Sequence, residues 1–239
     1  MSTFLERIAV VLSHPEEAGN IGSTCRAMKT MGLTRLRIVG ERGYDERQIE
    51  YMSVHAFEVY DRAEFFPTIE EALADTVLSA GVTRRRGVKR KVVSLLPEEL
   101  AERAARSGSG TVGIVFGNER SGLSDAELSA CALAVHIPTS PQFPSLNLAQ
   151  AVQIVAYSLF RNEQSPARFT PVTRERIESL TTEAIGSLGE IGFFSVAGNS
   201  VMMEFLRDVF TRAALSKGEA DRMEEMFTKI KNLKVHKPR

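Results

Sequence analysis

The sequence predicts an α/β protein: a parallel sheet flanked by helices, with a small all-helical extension at the C-terminal end. Three features predict it. Short aliphatic and β-branched runs of strand length recur without strict apolar/polar alternation, as strands covered on both faces require. Helical segments separate these runs, and a strand–helix–strand order implies parallel pairing. Beyond Pro171 the pattern is helical alone.

The first run, Ile8 to Leu12, ends at Ser13-His14-Pro15. A helix from about Asn20 to Met31 stops at Gly32, a residue suited to the left-handed turn after a helix end. Leu36 to Val39 gives a second strand and Asp45 to Met52 a short helix, after which Thr68-Ile69-Glu70-Glu71 opens, as a capping box, a helix ending near Asp75. Thr76 to Ala80 is a third strand, with Gly81-Val82-Thr83 read as the turn after it and the basic residues that follow as a loop. Pro97 at a first helical position starts a helix to about Arg106, which Ser107-Gly108-Ser109-Gly110 breaks. Val112 to Phe116 and Leu133 to Ile137 are two more strands, joined by a short helix behind the capping box Ser124-Asp125-Ala126-Glu127. Ser145 is a natural N-cap for a long helix whose Ala149, Val152, Val155, Ala156 and Leu159 form a core-facing stripe. The chain thus divides into a sheet domain (1–162), a linker (163–173) and a helical extension (174–239). In the extension, Ile177, Leu180, Ala184 and Leu188, then Met202, Phe205, Leu206, Val209 and Phe210, recur at helical spacing, and Ser216-Lys217-Gly218-Glu219 caps a final helix.

A chain of 239 residues can bury a full core, and 30 basic against 30 acidic residues exclude a global field of either sign. Charge is instead clustered: Arg84, Arg85, Arg86, Lys89, Arg90 and Lys91 contain no acid among them, and Lys231, Lys234, Lys237 and Arg239 crowd the end. Each cluster reads as a solvated face or as a phosphate contact. Cys25 and Cys131 match no metal or redox spacing, which points to a reduced, cytoplasmic protein. His14, His55, His136 and His236 are scattered, so no metal is expected. The first residues lack signal-peptide architecture and no apolar run reaches membrane-span length, so no membrane is expected either.

Chemistry should sit in three polar turns, each at a strand end. Gly19-Asn20-Ile21-Gly22 is neither a dinucleotide fingerprint nor a P-loop. Asn20 and Arg26 read as an N-cap and a surface arginine, or as ligand contacts. In Phe116-Gly117-Asn118-Glu119-Arg120-Ser121-Gly122-Leu123 two glycines surround one carboxylate, so the backbone can approach a ligand closely while Glu119 hangs beside it. Ile137-Pro138 through Ser145-Leu146-Asn147 feeds the long helix, and side chains there can cap it or bind an anion or a ribose. Ligands of open α/β sheets gather beyond the carboxyl ends of strands, so the three turns can share one site.

In this order, the segments Asn20-Ile21-Gly22-Ser23-Thr24-Cys25-Arg26, Phe116 to Leu123, and Ile137-Pro138 with Ser145-Leu146-Asn147-Leu148-Ala149 resemble the three motifs of the SPOUT (α/β-knot) RNA ribose 2′-O-methyltransferases. Leu128, Cys131 and Gln150-Ala151-Val152 are most similar to the TrmJ-type branch, tRNA (cytidine/uridine-2′-O-)-methyltransferases acting on the anticodon loop. The resemblance implies a parallel sheet whose C-terminal segment is threaded into a trefoil knot holding S-adenosylmethionine, in a homodimer with sites at the interface. It implies a cofactor pocket of Gly81, Val82, Thr83, Gly117, Ile137, Pro144, Ser145 and Leu146. The family usually carries Thr-Ser/Thr-Ala-Arg where this chain has Gly81-Val82-Thr83-Arg84, so a contact at the first position is made by backbone or not at all. It further implies a catalytic group of Asn20, Arg26, Glu119, Ser145 and Asn147, and tRNA contacts by Arg84, Arg85, Arg86, Lys89 and Arg90. A guanidinium is a poor base at neutral pH, so Arg26 is expected to hold a phosphate and favour the developing alkoxide, with Asn20 and Asn147 orienting the ribose and Glu119 positioning Arg26 or Asn20. Two other functions fit the same motifs: methylation of ribosomal RNA, and RNA binding without catalysis.

Overall fold

A computed structural model describes residues 4–84, 94–163, 170–194 and 199–233. Arg85, Arg86, Lys89 and Arg90 of the basic run lie outside the described residues, as does most of the expected linker. After a short 3-10 turn, Phe4–Arg7, the elements are β1 (Ile8–Ser13), α1 (Ala18–Thr30), β2 (Arg35–Val39), α2 (Glu46–Ser53), α3 (Phe57–Asp61), β3 (Glu64–Phe66), α4 (Ile69–Leu73), β4 (Thr76–Val82), β5 (Ser94–Leu95), α5 (Pro97–Ala105), β6 (Thr111–Phe116), α6 (Asp125–Ala130), β7 (Leu133–Val135), α7 (Leu148–Arg161), α8 (Arg174–Glu190), α9 (Asn199–Ala213) and α10 (Lys217–Lys231).

The strands form one sheet in the order β3-β2-β1-β6-β4-β7-β5, every neighbouring pair parallel. Alternate residues of each strand face opposite layers. Val10, Leu12, Ile38, Ile114 and Leu78 join the larger core under α1, α2, α3, α5 and α7, while Val11, Val39 and Val115 join a smaller core under α4 and α6. Apolar residues are therefore needed from Ile8 to Leu12 of β1, which is buried along its whole length. β4 runs on through Gly81 and Val82, two residues past its expected end, so these are strand rather than turn. The smaller core explains it: a Cβ on Gly81 would meet Leu128 Cδ1 at 2.8 Å and Leu123 Cδ1 at 3.0 Å, so a glycine is what lets α6 and its loop press on the strand.

One ion-pair cluster pins the sheet edge. Arg37, 4% exposed on β2, donates to both oxygens of Asp75 at 2.7 and 2.9 Å and to the Ala72 carbonyl at 2.7 Å. Its Nε lies 3.3 Å from Glu64 Oε2. The fork geometry ties β2 to the end of α4. The Arg37 guanidinium, hydrogen-bonded to Asp75, in turn holds that carboxyl below the usual range against the opposing effect of burial.

Helices α8, α9 and α10 enclose a core of their own, Ile177, Leu180, Ala184, Phe210, Leu215, Ala220 and Phe227. Arg174 donates to the Ala130 carbonyl, and Ile177, Phe210 and Leu215 line a small cavity with Thr76 to Ser79 of β4, so the helical layer rests on the sheet. Phe205 of the expected apolar stripe is exposed, as are Met226 of α10 and Leu233 just after it. No helix among the described residues is long and apolar enough to cross a membrane.

Candidate active site

The C-terminal ends of β4, β6 and β7 stand level, with Val82 paired to both Phe116 and Val135. A cleft of about 850 Å³, counting its open mouth, lies above them. That is the place where open parallel sheets bind ligands. Val82 to Arg84 form one wall and Phe116 to Leu123 a second; Ile137, Thr139, Pro144, Ser145, Leu146, Leu148 and Ala151 complete it. Val82, Thr83, Gly117, Ile137, Pro144, Ser145 and Leu146 are thus gathered from three distant segments. Gly81 is not among the lining residues; strand alternation turns it toward Leu123 and Leu128. Sequence reasoning passed over Leu148 and Ala151, whose spacing of three puts both on one helix face.

The glycine-bracketed loop is tight because of its own backbone. A Cβ on Gly117 would lie 2.1 Å from Gly122 C and 2.2 Å from Leu123 N, so this close approach is within the loop and not toward a ligand. Gly122, at φ +65°, takes the left-handed conformation that closes the turn. Asn118 Oδ1 accepts from Ser121 N at 2.8 Å and from Ser121 Oγ at 2.9 Å, and Asn118 O accepts from Gly122 N at 3.0 Å.

From this loop Glu119 reaches the start of α1. Its Oε2 accepts from Glu16 N at 2.9 Å, and its Oε1 accepts from Glu17 N at 3.2 Å and from Asn20 Nδ2 at 2.9 Å. Residue Glu17 at the N-cap makes no side-chain cap of its own. The Glu119 carboxylate substitutes for it, placed where free N–H groups and the helix dipole favour negative charge. Asn20 Oδ1 then accepts from Asn147 Nδ2 at 2.8 Å. Asn147 is the N-cap of α7, its Oδ1 accepting from Ala149 N at 2.9 Å and Gln150 N at 3.4 Å while Gln150 Oε1 accepts from Asn147 N at 3.3 Å. The N-cap is therefore Asn147 and not Ser145, which is exposed at the cleft wall. The decisive signal was three residues on: Gln150 completes a capping box with Asn147, whereas Leu148 cannot with Ser145.

Arg26 stands apart from this network. It is exposed on α1, and its guanidinium makes no hydrogen bond or ion pair among the described residues. Six residues of helix are about 9 Å and about 1.7 turns, so Arg26 points some 120° away from Asn20. Glu119 accordingly holds Asn20 and not Arg26. The glycine of the first motif is also structural: a Cβ on Gly22 would lie 2.4 Å from the Ile49 carbonyl oxygen, so it allows α2 to cross α1 closely.

On the other side of α6, burial would raise the Glu127 carboxyl, but hydrogen bonds from Ser124 and Ser13, with His14 close by, outweigh it and hold the group below its usual range. Burial pushes the Cys25 thiol up to about 12, which removes it as a nucleophile.

A family model described as the SpoU rRNA Methylase family matches residues 7–157. The chain belongs to that family. Within it, the similarity is to the TrmJ-type branch. The tRNA (cytidine/uridine-2′-O-)-methyltransferase TrmJ of Yersinia enterocolitica is 36% identical over 239 residues, covering 95% of this chain and 92% of that one. The tRNA (cytidine-2′-O-)-methyltransferase TrmJ of Methanocaldococcus jannaschii is 39% identical over 155 residues, 64% of this chain and 67% of its own. The crystal structure of TrmJ from Z. mobilis ZM4 superposes with a TM-score of 0.74 at 30% identity, covering 94% of this chain and 99% of that one. The SpoU match contains all three motifs and the whole cleft, while the relatives matched at full length also span the helical layer.

Proposed function

We propose that this chain methylates a ribose 2′-oxygen in tRNA, with S-adenosylmethionine as the donor, at a pyrimidine nucleotide of the anticodon loop. The observation that carries the proposal is the hydrogen-bonded chain Glu119–Asn20–Asn147, which joins all three motifs at the edge of one cleft. The cleft suits the cofactor. Its apolar floor of Phe116, Ile137, Leu146, Leu148 and Ala151 fits an adenine ring. Bound there, the cofactor supplies an electrophilic methyl group.

The protein's part is orientation and electrostatics. Asn20 and Asn147 each commit one amide N–H to the network and keep a second for the ribose or its phosphate. Ser145, two residues before Asn147, lines the cleft. Arg26, through its cationic guanidinium, binds the neighbouring phosphate and favours the developing alkoxide. Its distance from Asn20 on α1 is consistent with a homodimer in which helix faces meet, as are the exposed Ile154, Tyr157 and Phe160 of α7. The knotted threading, the division into sheet domain, linker and helical extension, and a cytoplasmic site of action belong to the same reading. Arg84, exposed at the cleft, and the basic residues after it would meet tRNA phosphates. Ribosomal RNA is the alternative substrate named by the family description, but the full-length relatives above are tRNA enzymes. The test is transfer of label from methyl-tritiated cofactor into bulk tRNA and into ribosomal RNA. Label in tRNA, recovered as alkali-resistant dinucleotides, is expected; label in neither RNA would refute the proposal.

A further inference from the structure

The turn that leads into α7 carries a solvent-facing aromatic with no structural task. Phe143 is 79% exposed, yet it directly precedes Pro144 and Ser145 in the cleft wall. Its placement is ordered. Phe143 N donates to the Ser140 carbonyl at 3.2 Å, Ser140 Oγ donates to Gln142 Oε1 at 2.7 Å, and Thr139 Oγ1 donates to the Pro144 carbonyl at 3.2 Å. The turn is held on both sides of Phe143, and the ring stays in solvent one residue before the cleft-lining Pro144, at the cost of an unburied benzyl group.

We propose that Phe143 is a stacking platform for the base of the nucleotide being methylated. This rests on the ribose methylation proposed above. A ribose whose 2′-oxygen enters the cleft leaves its base at the mouth, unstacked from its neighbours, and single-stranded RNA bases so exposed are recognised by stacking on aromatic side chains. Stacking reads the π-face, which every base has, and so tolerates base identity. Relatives of this chain are described as acting on cytidine and uridine, and one, from Pseudomonas aeruginosa at 34% identity over 96% of this chain, on cytidine, uridine and adenosine. That breadth is what a ring without hydrogen-bonding groups produces, and what a pocket reading the Watson–Crick edge would forbid.

The experiment is a substitution cycle on a tRNA whose methylated nucleotide has been mapped. Phe143→Ala, Phe143→Leu and Phe143→Trp are compared with wild type in single-turnover methylation, using the normal target nucleotide and an abasic ribonucleotide that keeps its 2′-hydroxyl. Loss of the ring is expected to slow methylation on the order of ten-fold at limiting RNA, equally for cytidine and uridine targets. Leucine should not restore the rate and tryptophan should. The penalty should vanish on the abasic target, while cofactor affinity and sedimentation stay unchanged. A penalty that persists on the abasic target, a smaller particle in sedimentation, or full activity of Phe143→Ala overturns the stacking role and leaves the methyltransferase reading intact. A wild-type protein that labels no RNA overturns both.

Discussion

Replacing Glu119 separates a carboxylate that builds the site from one that takes part in proton transfer. Glu119→Ala removes acceptors from Glu16 N, Glu17 N and Asn20 Nδ2. The two backbone donors are exposed and can bind water, so each contributes at the low end, about 0.5 kcal/mol, and the Asn20 hydrogen bond about 1 kcal/mol. The expected loss is about 2 kcal/mol, or about 4 to 8 °C in Tm for a chain of this size. Glu119→Gln behaves differently, because both Glu17 N and Asn20 Nδ2 are bonded to Oε1. An amide oxygen there keeps both; only the hydrogen bond from Glu16 N and the charge at the helix start disappear, at about 1 kcal/mol. Positioning therefore predicts that Gln retains the single-turnover rate within about three-fold while Ala loses about ten-fold or more, since each decade is about 1.4 kcal/mol. The assay is thermal unfolding alongside single-turnover methylation at saturating tRNA. Equal losses of a hundred-fold or more in both variants, with Tm unmoved, would be the signature of a general base and would refute the reasoning.

Other substitutions test the frame around the site. Gly22→Ala drives a methyl group to 2.4 Å from the Ile49 carbonyl oxygen and 2.9 Å from Met52 Cβ, so overpacking of about 1–3 kcal/mol is expected in urea unfolding. Asp75→Asn removes the partner of the buried Arg37. The folded pKa of Asp75 is depressed, so its contribution is complete above the unfolded value near 4, and the stability gap between wild type and variant should shrink as pH falls below it. A pH-independent gap would mean the pair contributes no charge-dependent stability. Neutralising Arg84 with Arg85, Arg86 and Lys89 should weaken tRNA binding and flatten the plot of log K against log salt by about 0.7 for each phosphate no longer neutralised. An unchanged slope would remove the cluster from the RNA interface.

The elements legible in the sequence were those with a local cause. β1 reads as a strand because both its faces are buried, and the capping boxes at Ser124 and Ser216 mark helix starts because Glu127 and Glu219 lie three residues on. What was missed is short or non-local: β3 and β5 have three and two residues, α3 has five, and each is held by neighbours in the sheet or core. Nothing local says that β6 enters between β1 and β4, yet that insertion brings the Glu119 loop beside the start of α1. The motifs offered candidate site residues, whereas which of them touch one another needed this topology.

Those contacts link fold to chemistry. Glu119 completes the N-terminus of α1, Asn147 that of α7, and Asn20 bridges the two, so the polar groups that would orient a ribose are first the groups that fix two helix starts against one loop. A side chain held by such bonds loses little further entropy when a substrate docks, and its remaining N–H groups point where the backbone has already placed them. The same economy makes the motifs intolerant. Removing Asn147 leaves Ala149 N and Gln150 N without their cap and frees Asn20 on one side, so stability and orientation should fail together. Ser145, exposed and outside the cap network, is the position where activity can be lost without cost to folding.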